Sequence, residues 1–117
     1  MYKRHILGIM GEEIAVKYLM NKGYRIIERN FLCRQGELDI IAQDNNYVVF
    51  LEIKARSSIE FGLPSEAVTK NKIEHMIKAI KYYLYKNNLE NSNIRIDIIE
   101  VYLKENTYHI NHIKQII

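Results

Sequence analysis

Hydrophobic and polar residues alternate along the stretch from Gly36 to Arg56, and this alternation with period two predicts two β-strands. An Asn45-Asn46 pair separates the strands, and asparagine tolerates the positive φ that tight hairpin turns require. If these two residues form the turn, Asp44 pairs with Tyr47 and the register of the strands is fixed. The stretch is therefore predicted to be an antiparallel hairpin.

The predicted hairpin carries four charged side chains among its apolar residues. In the register set by the turn, Asp39 lies opposite Glu52 and Glu37 lies opposite Lys54, so all four share one face. Two carboxylates about 4 Å apart repel by roughly 4 kcal/mol at an effective dielectric constant near 20. We therefore expect a cation at this face. The other face of the first strand is predicted to carry Leu38, Ile40 and Ala42.

A helical pattern precedes the hairpin. Apolar residues spaced by three and four predict a helix from His5 to Lys22, which Gly23 ends. Glu12 lies beside the apolar stripe and is expected to reach inward, whereas Glu13 is expected to point to solvent. The predicted stripe consists of Leu7, Gly11, Ala15, Tyr18 and Leu19.

The remaining segments complete an α/β pattern. The order α-β-β-β-α-β-β predicts one domain over residues 1–117, with a mixed central sheet flanked by helices, because a helical crossover can bring a later strand in parallel. The further predicted segments are a strand at Tyr24–Leu32, a loop at Ser57–Pro64, a helix within Ser65–Asn88, and strands at Ile94–Leu103 and Thr107–Lys114.

The second helix is predicted to have one apolar side and one basic side. Its apolar side should pack on the sheet, and its lysines should point largely toward water. The apolar residues are Ile73, Met76, Ile77, Ile80 and Leu84, and the lysines are Lys70, Lys72, Lys78 and Lys81.

Composition excludes several classes of protein. With 117 residues and 48% apolar content, the chain can bury one core but is too short for two ordinary domains. Its one cysteine, Cys33, excludes an internal disulfide framework, and no apolar run is long enough to span a membrane. We therefore expect a cytoplasmic protein. The net charge of +3 already includes the acidic cluster, so the rest of the surface is more basic than this total suggests.

The acidic face of the hairpin suggests metal-assisted attack on a phosphodiester. Oxygen ligands without nearby histidine or thiolate favour Mg²⁺ or Mn²⁺. Asp39 and Glu52 are expected to hold the ion, with Glu12 as a third carboxylate and the backbone carbonyl of Ile53 as a further ligand. Lys54 is expected to orient an attacking water or to stabilise charge on the phosphorus oxygens.

The spacing of these residues resembles a known nuclease signature. Asp39, a run of twelve residues and then Glu52-Ile53-Lys54 resemble the motif of the PD-(D/E)xK superfamily, with Leu38 where the name-giving proline would be. Nearly the whole chain also resembles the YraN-type family of small bacterial proteins. The blocks that carry this second resemblance are GEEIAVKYL, GYRIIERNF, GELDII, VVFLEIKAR and FGLPSEAVTKNK.

This resemblance implies a restriction-endonuclease-like core, similar to that of archaeal Holliday-junction resolvases. It also implies that Asp39, Glu52 and Lys54 are catalytic and that Glu12 is similar to the first-helix glutamate of the resolvases. The implied function is a Mg²⁺- or Mn²⁺-dependent endonuclease that hydrolyses DNA, on branched or junction substrates. The alternatives are a nucleic-acid-binding protein with the same fold that does not cut, and a purely structural interaction domain.

Basic residues near the acidic face are expected to contact nucleic acid phosphates. The candidates are Arg34, Arg56, Lys70 and Lys72. Because one small domain offers one site, cutting both strands of a duplex would be simplest for a homodimer with two-fold symmetry.

Overall fold

The computed structural model describes residues 2–57 and 69–117 and contains the predicted order of elements. The predicted loop residues 58–64, and residues 65–68 of the range predicted for the second helix, lie outside the described residues. The helices are α1 (Tyr2–Asn21) and α2 (Lys70–Lys86). The strands are β1 (Arg25–Cys33), β2 (Gly36–Asp44), β3 (Tyr47–Ser57), β4 (Asn93–Lys104) and β5 (Thr107–Ile113).

The five strands form one open sheet in the order β1-β2-β3-β4-β5. β3 and β4 are parallel, and the other neighbouring strands are antiparallel. The two parallel strands are consecutive, and the connection between them contains α2, as parallel pairing requires a crossover. The predicted α/β fold with a mixed sheet is confirmed.

Two hydrophobic clusters, one for each helix, form the core. In the first cluster Ala15 and Leu19 of α1 pack with the sheet residues Ile40, Val49 and Ile99. In the second, α2 packs on the sheet through five buried residues, which are Met76, Ala79, Ile80, Tyr83 and Leu84. The sheet is thus covered by a helix on each face. None of the described helices combines the length and the apolar character needed to cross a membrane.

The predicted end of α1 at Gly23 is confirmed. Gly23 has a φ of 92°, and the backbone N–H of Tyr24 donates to the carbonyl of Leu19 at 2.9 Å. Glycine suits this position because the left-handed conformation costs it little. Of the predicted buried stripe, Gly11, Ala15 and Leu19 are buried, and the other two residues are partly exposed.

The helix α2 begins with a side-chain cap. The Thr69 hydroxyl accepts a hydrogen bond from the backbone N–H of Lys72 at 3.1 Å, which satisfies one of the free donors of the first turn. The lysines predicted to face water are all exposed, and the buried side of the helix matches its apolar periodicity.

The hairpin has the predicted register near its turn but not at its open end. Asp44 pairs with Tyr47, and the ladder continues to the pair of Ile40 and Leu51, where it ends. Beyond this pair β2 stays paired with β1, whereas β3 stays paired with β4 as far as Ser57. The sheet therefore splits between β2 and β3.

The side-chain alternation of β2 also changes at the split. Leu38 packs in the cluster that faces α2, whereas Ile40 packs in the cluster that faces α1. The prediction that these two residues share a face is therefore wrong. The change coincides with a left-handed residue in the neighbouring strand, since Asn30 has a φ of 53° between the pairs Arg29–Ile40 and Phe31–Leu38, and a positive φ interrupts the alternation of side chains.

Polar side chains form a buried group at the turn end of the hairpin. Arg95 donates to Tyr24, Asp44 and Asp97, and His112 shares a 2.8 Å hydrogen bond with Asp97. Burial raises the pKa of Asp97, but hydrogen bonds from His112, Arg95 and the backbone of Gln115 outweigh it and lower this pKa below its usual value. The group joins β2, β4 and β5 to Tyr24, which directly precedes β1.

Candidate active site

The open end of the split sheet contains a polar cavity of about 380 Å³. It lies between α1 and the strands β1, β2 and β3. The lining residues are Gly8, Ile9, Glu12, Arg29, Asn30, Glu37, Asp39 and Ile53. Three of the carboxylates predicted to form or surround a site, those of Glu12, Glu37 and Asp39, therefore meet at this cavity.

Asp39 lies at the point where β2 leaves β3. Its Oδ2 accepts a hydrogen bond of 2.9 Å from the backbone N–H of Ile53, a donor that the interrupted ladder leaves free. Burial, followed by repulsion from Glu52, raises the pKa of Asp39 to about 7, although the Ile53 N–H and the charge of Lys72 oppose the rise. Asp39 and Glu52 are therefore close enough to interact electrostatically.

Glu52 lies on β3 on the side of the sheet that faces α2. Its side chain is only 4% exposed, and its Oε2 is 3.6 Å from the ammonium groups of both Lys54 and Lys72. Its Oε1 is buried and has no hydrogen-bond partner among the described residues. A buried carboxylate oxygen without a donor is unfavourable, and a bound cation would supply the missing partner.

The four charged residues of the hairpin do not share one face, so that prediction is wrong. Asp39 and Glu37 line the cavity beside α1, whereas Glu52 and Lys54 form an ion pair to which Lys72 of α2 also contributes. Glu37 does not lie opposite Lys54, because the β2–β3 ladder ends before either residue. The split nevertheless keeps Asp39 and Glu52 adjacent. Asp39 directly precedes Ile40 and Glu52 directly follows Leu51, and these two residues form the last ladder pair.

Glu12 reaches inward and Glu13 is exposed, as predicted. The side chain of Glu12 is 16% exposed, and its Oε2 accepts hydrogen bonds from Arg29 at 2.8 Å and from Asn30 at 3.0 Å. Glu13 also binds Arg29, at 2.6 Å. Glu12 thus shares the cavity with Asp39, but one of its oxygens already has a cationic partner.

Sequence reasoning did not identify Arg29 and Asn30. Both are on β1, and both contact Glu12 of α1 because the left-handed Asn30 interrupts the alternation of the strand. The sequence does show two adjacent polar residues, Arg29 and Asn30, in the middle of a strand. Only the fold shows that this pair faces Glu12.

The four predicted phosphate-binding residues lie in different environments. Lys72 is at the site, 3.6 Å from Glu52, and Lys70 is exposed at the first residue of α2. Arg34 is exposed in the turn between β1 and β2. Arg56 is partly buried, and its Nε is buried without a hydrogen-bond partner among the described residues. The structure therefore brings Lys72, but not all four residues, to the acidic pair.

Comparison with known proteins identifies the family. Residues 11–101 match the family described as "Uncharacterised protein family UPF0102". This chain belongs to the UPF0102 family. A UPF0102 protein of Clostridioides difficile (strain 630) is 48% identical over 106 residues, which cover 91% of each chain. A UPF0102 protein of Carboxydothermus hydrogenoformans is 43% identical over 114 residues, which cover 97% of each chain.

The UPF0102 match confirms the predicted family membership. The matched residues 11–101 include α1 from Gly11 onward and extend into β4 as far as Val101. They therefore include every carboxylate and lysine of the site described above.

The UPF0102 site contains donors that suit a hard cation. Among residues 2–57 and 69–117, no three His, Cys, Asp or Glu side chains are already grouped to hold a metal. Asp39 and Glu52 offer two oxygen ligands that repel each other, and the free Oε1 of Glu52 has no competing donor among the described residues. Carboxylate oxygens of this kind fit Mg²⁺ or Mn²⁺ better than a softer ion.

Sequence reasoning also did not identify Glu100, a buried carboxylate on β4. It is fully buried and pairs with Lys54 in the register of the parallel strands. Its Oε1 accepts a 2.8 Å hydrogen bond from Asn111, and its Oε2 has no partner among the described residues. The residue was missed because its strand has no local pattern that distinguishes a buried acid from a surface one.

Proposed function

We propose that this protein is a divalent-metal-dependent endonuclease that hydrolyses DNA phosphodiester bonds. The observation that carries the proposal is the pair of Asp39 and Glu52, two interacting carboxylates with lysines beside them. Without a bound cation the ionised form of Asp39 is unfavourable, because burial and repulsion from Glu52 both oppose it. We therefore expect the carboxylate pair to bind a cation.

The residues of the chain have distinct tasks in this proposal. Asp39 and Glu52 would hold Mg²⁺ or Mn²⁺, with Ile53 as a further oxygen ligand. Asp39, Ile53 and Glu12 line the cavity, and Glu52 approaches from the side of the sheet that faces α2. A metal ion in such a site activates water and stabilises charge on the phosphoryl oxygens. Lys54 orients the attacking water or stabilises the charge that develops on the phosphate, and Lys72 binds the phosphate itself.

The sequence resemblance supports the same reaction. Asp39 followed after twelve residues by Glu52-Ile53-Lys54 resembles the PD-(D/E)xK signature, and the α-β-β-β-α-β-β order is similar to the core expected for restriction-endonuclease-like proteins. The likeness to archaeal Holliday-junction resolvases suggests branched DNA as the substrate. Cutting two strands needs two such sites, and a two-fold dimer is the simplest assembly that supplies them.

A cleavage assay tests the proposal. Labelled duplex, single-stranded, flap and four-way DNA would be incubated with the protein and Mg²⁺ or Mn²⁺, beside the Asp39→Asn variant. We expect metal-dependent products that are absent with Asp39→Asn, and a control variant, Glu90→Gln, at an exposed position should cut as the wild type does. Products of equal amount with Asp39→Asn would show that the nuclease activity does not come from this site.

A second candidate function is nucleic-acid binding without cleavage. The observation that favours it is the pair of lysines beside Glu52, which supply positive charge without a metal. In this case the wild type would bind DNA but release no products with either metal. The cleavage assay therefore separates the two functions.

A further inference from the structure

The positive charge of the chain is concentrated on α2. This helix contains five lysines and one glutamate, a formal charge of +4 with His75 neutral, whereas the whole chain carries +3. The rest of the chain therefore sums to −1. A charge distribution this uneven produces a local positive field at one helix, which attracts polyanions.

Two exposed aromatic rings lie among these lysines. The side chain of Tyr85 is 68% exposed and that of Tyr82 is 40% exposed, on the helix whose other side packs on the sheet. The ring of Tyr82 packs against Phe31 of β1 with a centroid distance of 6.2 Å, and the ammonium group of Lys86 lies 5.8 Å from the same Phe31 ring. At least one exposed ring is thus held in place by the core.

The basic surface begins at the candidate active site. Lys72 is 3.6 Å from Glu52, and the side of α2 that points away from the sheet carries Lys78, Lys81, Tyr82, Tyr85 and Lys86, all of which are exposed. From Lys72 to Lys86 this side is about 21 Å long, at about 1.5 Å per residue. That length matches about six stacked nucleotides at about 3.4 Å each.

We propose that this surface of α2 binds a single-stranded segment of nucleic acid and leads it to Asp39 and Glu52. We call it the α2 track, and it consists of Lys72, Lys78, Lys81, Tyr82, Tyr85 and Lys86. The lysines bind phosphates, and the tyrosine rings stack on bases. The inference rests on the proposed function only where it says that the strand is led to Asp39 and Glu52, since binding to α2 itself needs no cleavage.

The exposed rings favour a single strand over a duplex. A base inside a duplex is already stacked on both faces, so a surface tyrosine has no free base face to cover, whereas an unpaired base has. Lysines alone would bind either form through its phosphates. The inference therefore names the substrate class as DNA with an unpaired segment, such as a flap or the opened arm of a junction.

The test measures binding without cleavage. Fluorescence anisotropy with a labelled twelve-nucleotide strand, and with the same strand in a duplex, would be recorded in chelator for a set of exposed-residue variants. The charge pair is Lys78→Gln with Lys81→Gln, and its control is Lys17→Gln with Lys104→Gln, two exposed lysines outside α2. Thermal unfolding of each variant checks that the fold is retained.

The α2 charge pair should weaken single-strand binding about tenfold or more and lower the salt slope by about 1.4, since each phosphate contact on a single strand contributes about 0.7. The control pair should change the affinity less than about twofold. Equal losses in the two pairs would overturn the inference, because binding would then depend on total charge and not on this face.

The stacking claim has its own variants. Tyr85→Ala should weaken single-strand binding at least about fivefold while leaving duplex binding unchanged, and Tyr85→Phe should bind as the wild type does. The control is Tyr108→Ala, at a tyrosine of β5 that is 58% exposed. Equal effects of Tyr85→Ala and Tyr108→Ala, or a wild type that prefers duplex, would overturn the single-strand assignment.

The outcomes for the α2 track and for the nuclease proposal are separable. Loss of binding in the α2 variants, with a wild type that does not cut, would support the track and favour the non-catalytic function. Cleavage by the wild type with unaltered binding in the α2 variants would overturn the track and leave the nuclease proposal standing. Absence of binding by the wild type to every oligonucleotide would overturn the track outright.

Discussion

Asp39 is more costly to ionise than a surface carboxylate, because it is buried and lies close to Glu52. The hydrogen bond from the Ile53 N–H compensates only part of this cost, so the pKa stays near 7. At neutral pH the residue is consequently poised between its two protonation states. Carboxyls with this property are candidates for functional sites, and the sequence spacing selects the same residue.

Asp39 should make the stability of the protein depend on pH. Its pKa is about 7 in the folded protein and 3.8 in its ordinary, unperturbed state, so the folded state binds this proton more tightly. The stabilising contribution is complete below about pH 4 and is lost as the pH rises through about 7. The free energy of unfolding of Asp39→Asn should therefore increase relative to that of the wild type as the pH rises. The increase should reach on the order of 2–4 kcal/mol at pH 8 at most, since one pKa unit is worth about 1.4 kcal/mol.

Urea unfolding at pH 4.5, 6 and 8 in chelator would measure this effect. Asparagine retains an oxygen that can accept the Ile53 hydrogen bond, so the comparison isolates the charge. Glu90→Gln, at an exposed carboxylate, serves as the control and should follow the wild type at every pH. A gap between Asp39→Asn and the wild type that stays constant with pH would refute the assignment.

Lys54 and Lys72 both contact Glu52 but should differ in function. Lys54→Ala is expected to lower the cleavage rate by about a hundredfold or more while binding Mn²⁺ no more weakly than the wild type, because an ammonium group stabilises charge and is not a metal ligand. Lys72→Ala should mainly weaken DNA binding. Single-turnover cleavage and calorimetric Mn²⁺ titration would separate these effects, and wild-type rates in Lys54→Ala would remove it from the mechanism.

At the scale of elements, α1 packs closely on β3 through a glycine. A Cβ atom added to Gly11 would lie 2.5 Å from the Cβ of Ala55, which is too close for two carbon atoms. This close approach holds the middle of α1 against the strand that carries Glu52 and Lys54. The same helix supplies Glu12 to the cavity, so the packing at Gly11 also positions the cavity wall.

Two glycines of α1 provide a matched pair of substitutions. Gly11→Ala should destabilise the protein by about 1–3 kcal/mol, because the added methyl forces the helix away from β3. Gly8→Ala should stabilise it by about 0.5–1 kcal/mol, since Gly8 has nothing within 4 Å of its Cβ position and alanine favours helix. Denaturant midpoints of the two variants would check both signs. A Gly11→Ala protein as stable as Gly8→Ala would show that the close contact relaxes freely.

The split between β2 and β3 is the element-scale feature that makes the site. A continuous hairpin would have used the backbone N–H of Ile53 in its ladder and closed the space beside Asp39. Because β2 follows β1 and β3 follows β4 beyond Ile40 and Leu51, this donor turns to the Asp39 carboxylate instead. The cavity of about 380 Å³ opens in the same region.

At the scale of the whole molecule, a bound cation should stabilise the native state. Mn²⁺ would relieve the repulsion between Asp39 and Glu52 and bind the folded chain in preference to the unfolded one, so the unfolding temperature should rise with metal concentration. At a hundred times its dissociation constant, the ion should add about 2.7 kcal/mol to the free energy of unfolding. Thermal unfolding in chelator and in millimolar Mn²⁺ would measure this shift.

The Asp39→Asn variant is the control for the metal effect. It retains the fold but loses one of the two charges, so its unfolding temperature should respond to Mn²⁺ much less than that of the wild type. An equal shift in both proteins would indicate that the metal binds elsewhere, and no shift in the wild type would count against a site formed by this pair.

The local sequence by itself determined the elements, the mixed sheet and part of the site. The Asn45-Asn46 turn fixed the hairpin register, and Gly23 fixed the end of α1, because turn and cap chemistry depends only on neighbouring residues. The same local spacing selected Asp39 and Glu52 as candidate site residues, and the fold places them close enough for Glu52 to raise the pKa of Asp39.

Only the tertiary structure decided how the site is assembled. The alternation that put all four hairpin charges on one face fails because each strand follows a different neighbour beyond the pair of Ile40 and Leu51. The partners of Glu12 and Glu52, which are Arg29 of β1 and Lys72 of α2, are distant in the chain and are brought close by packing. Periodicity describes one strand at a time, whereas these contacts depend on which strands and helices become neighbours in space.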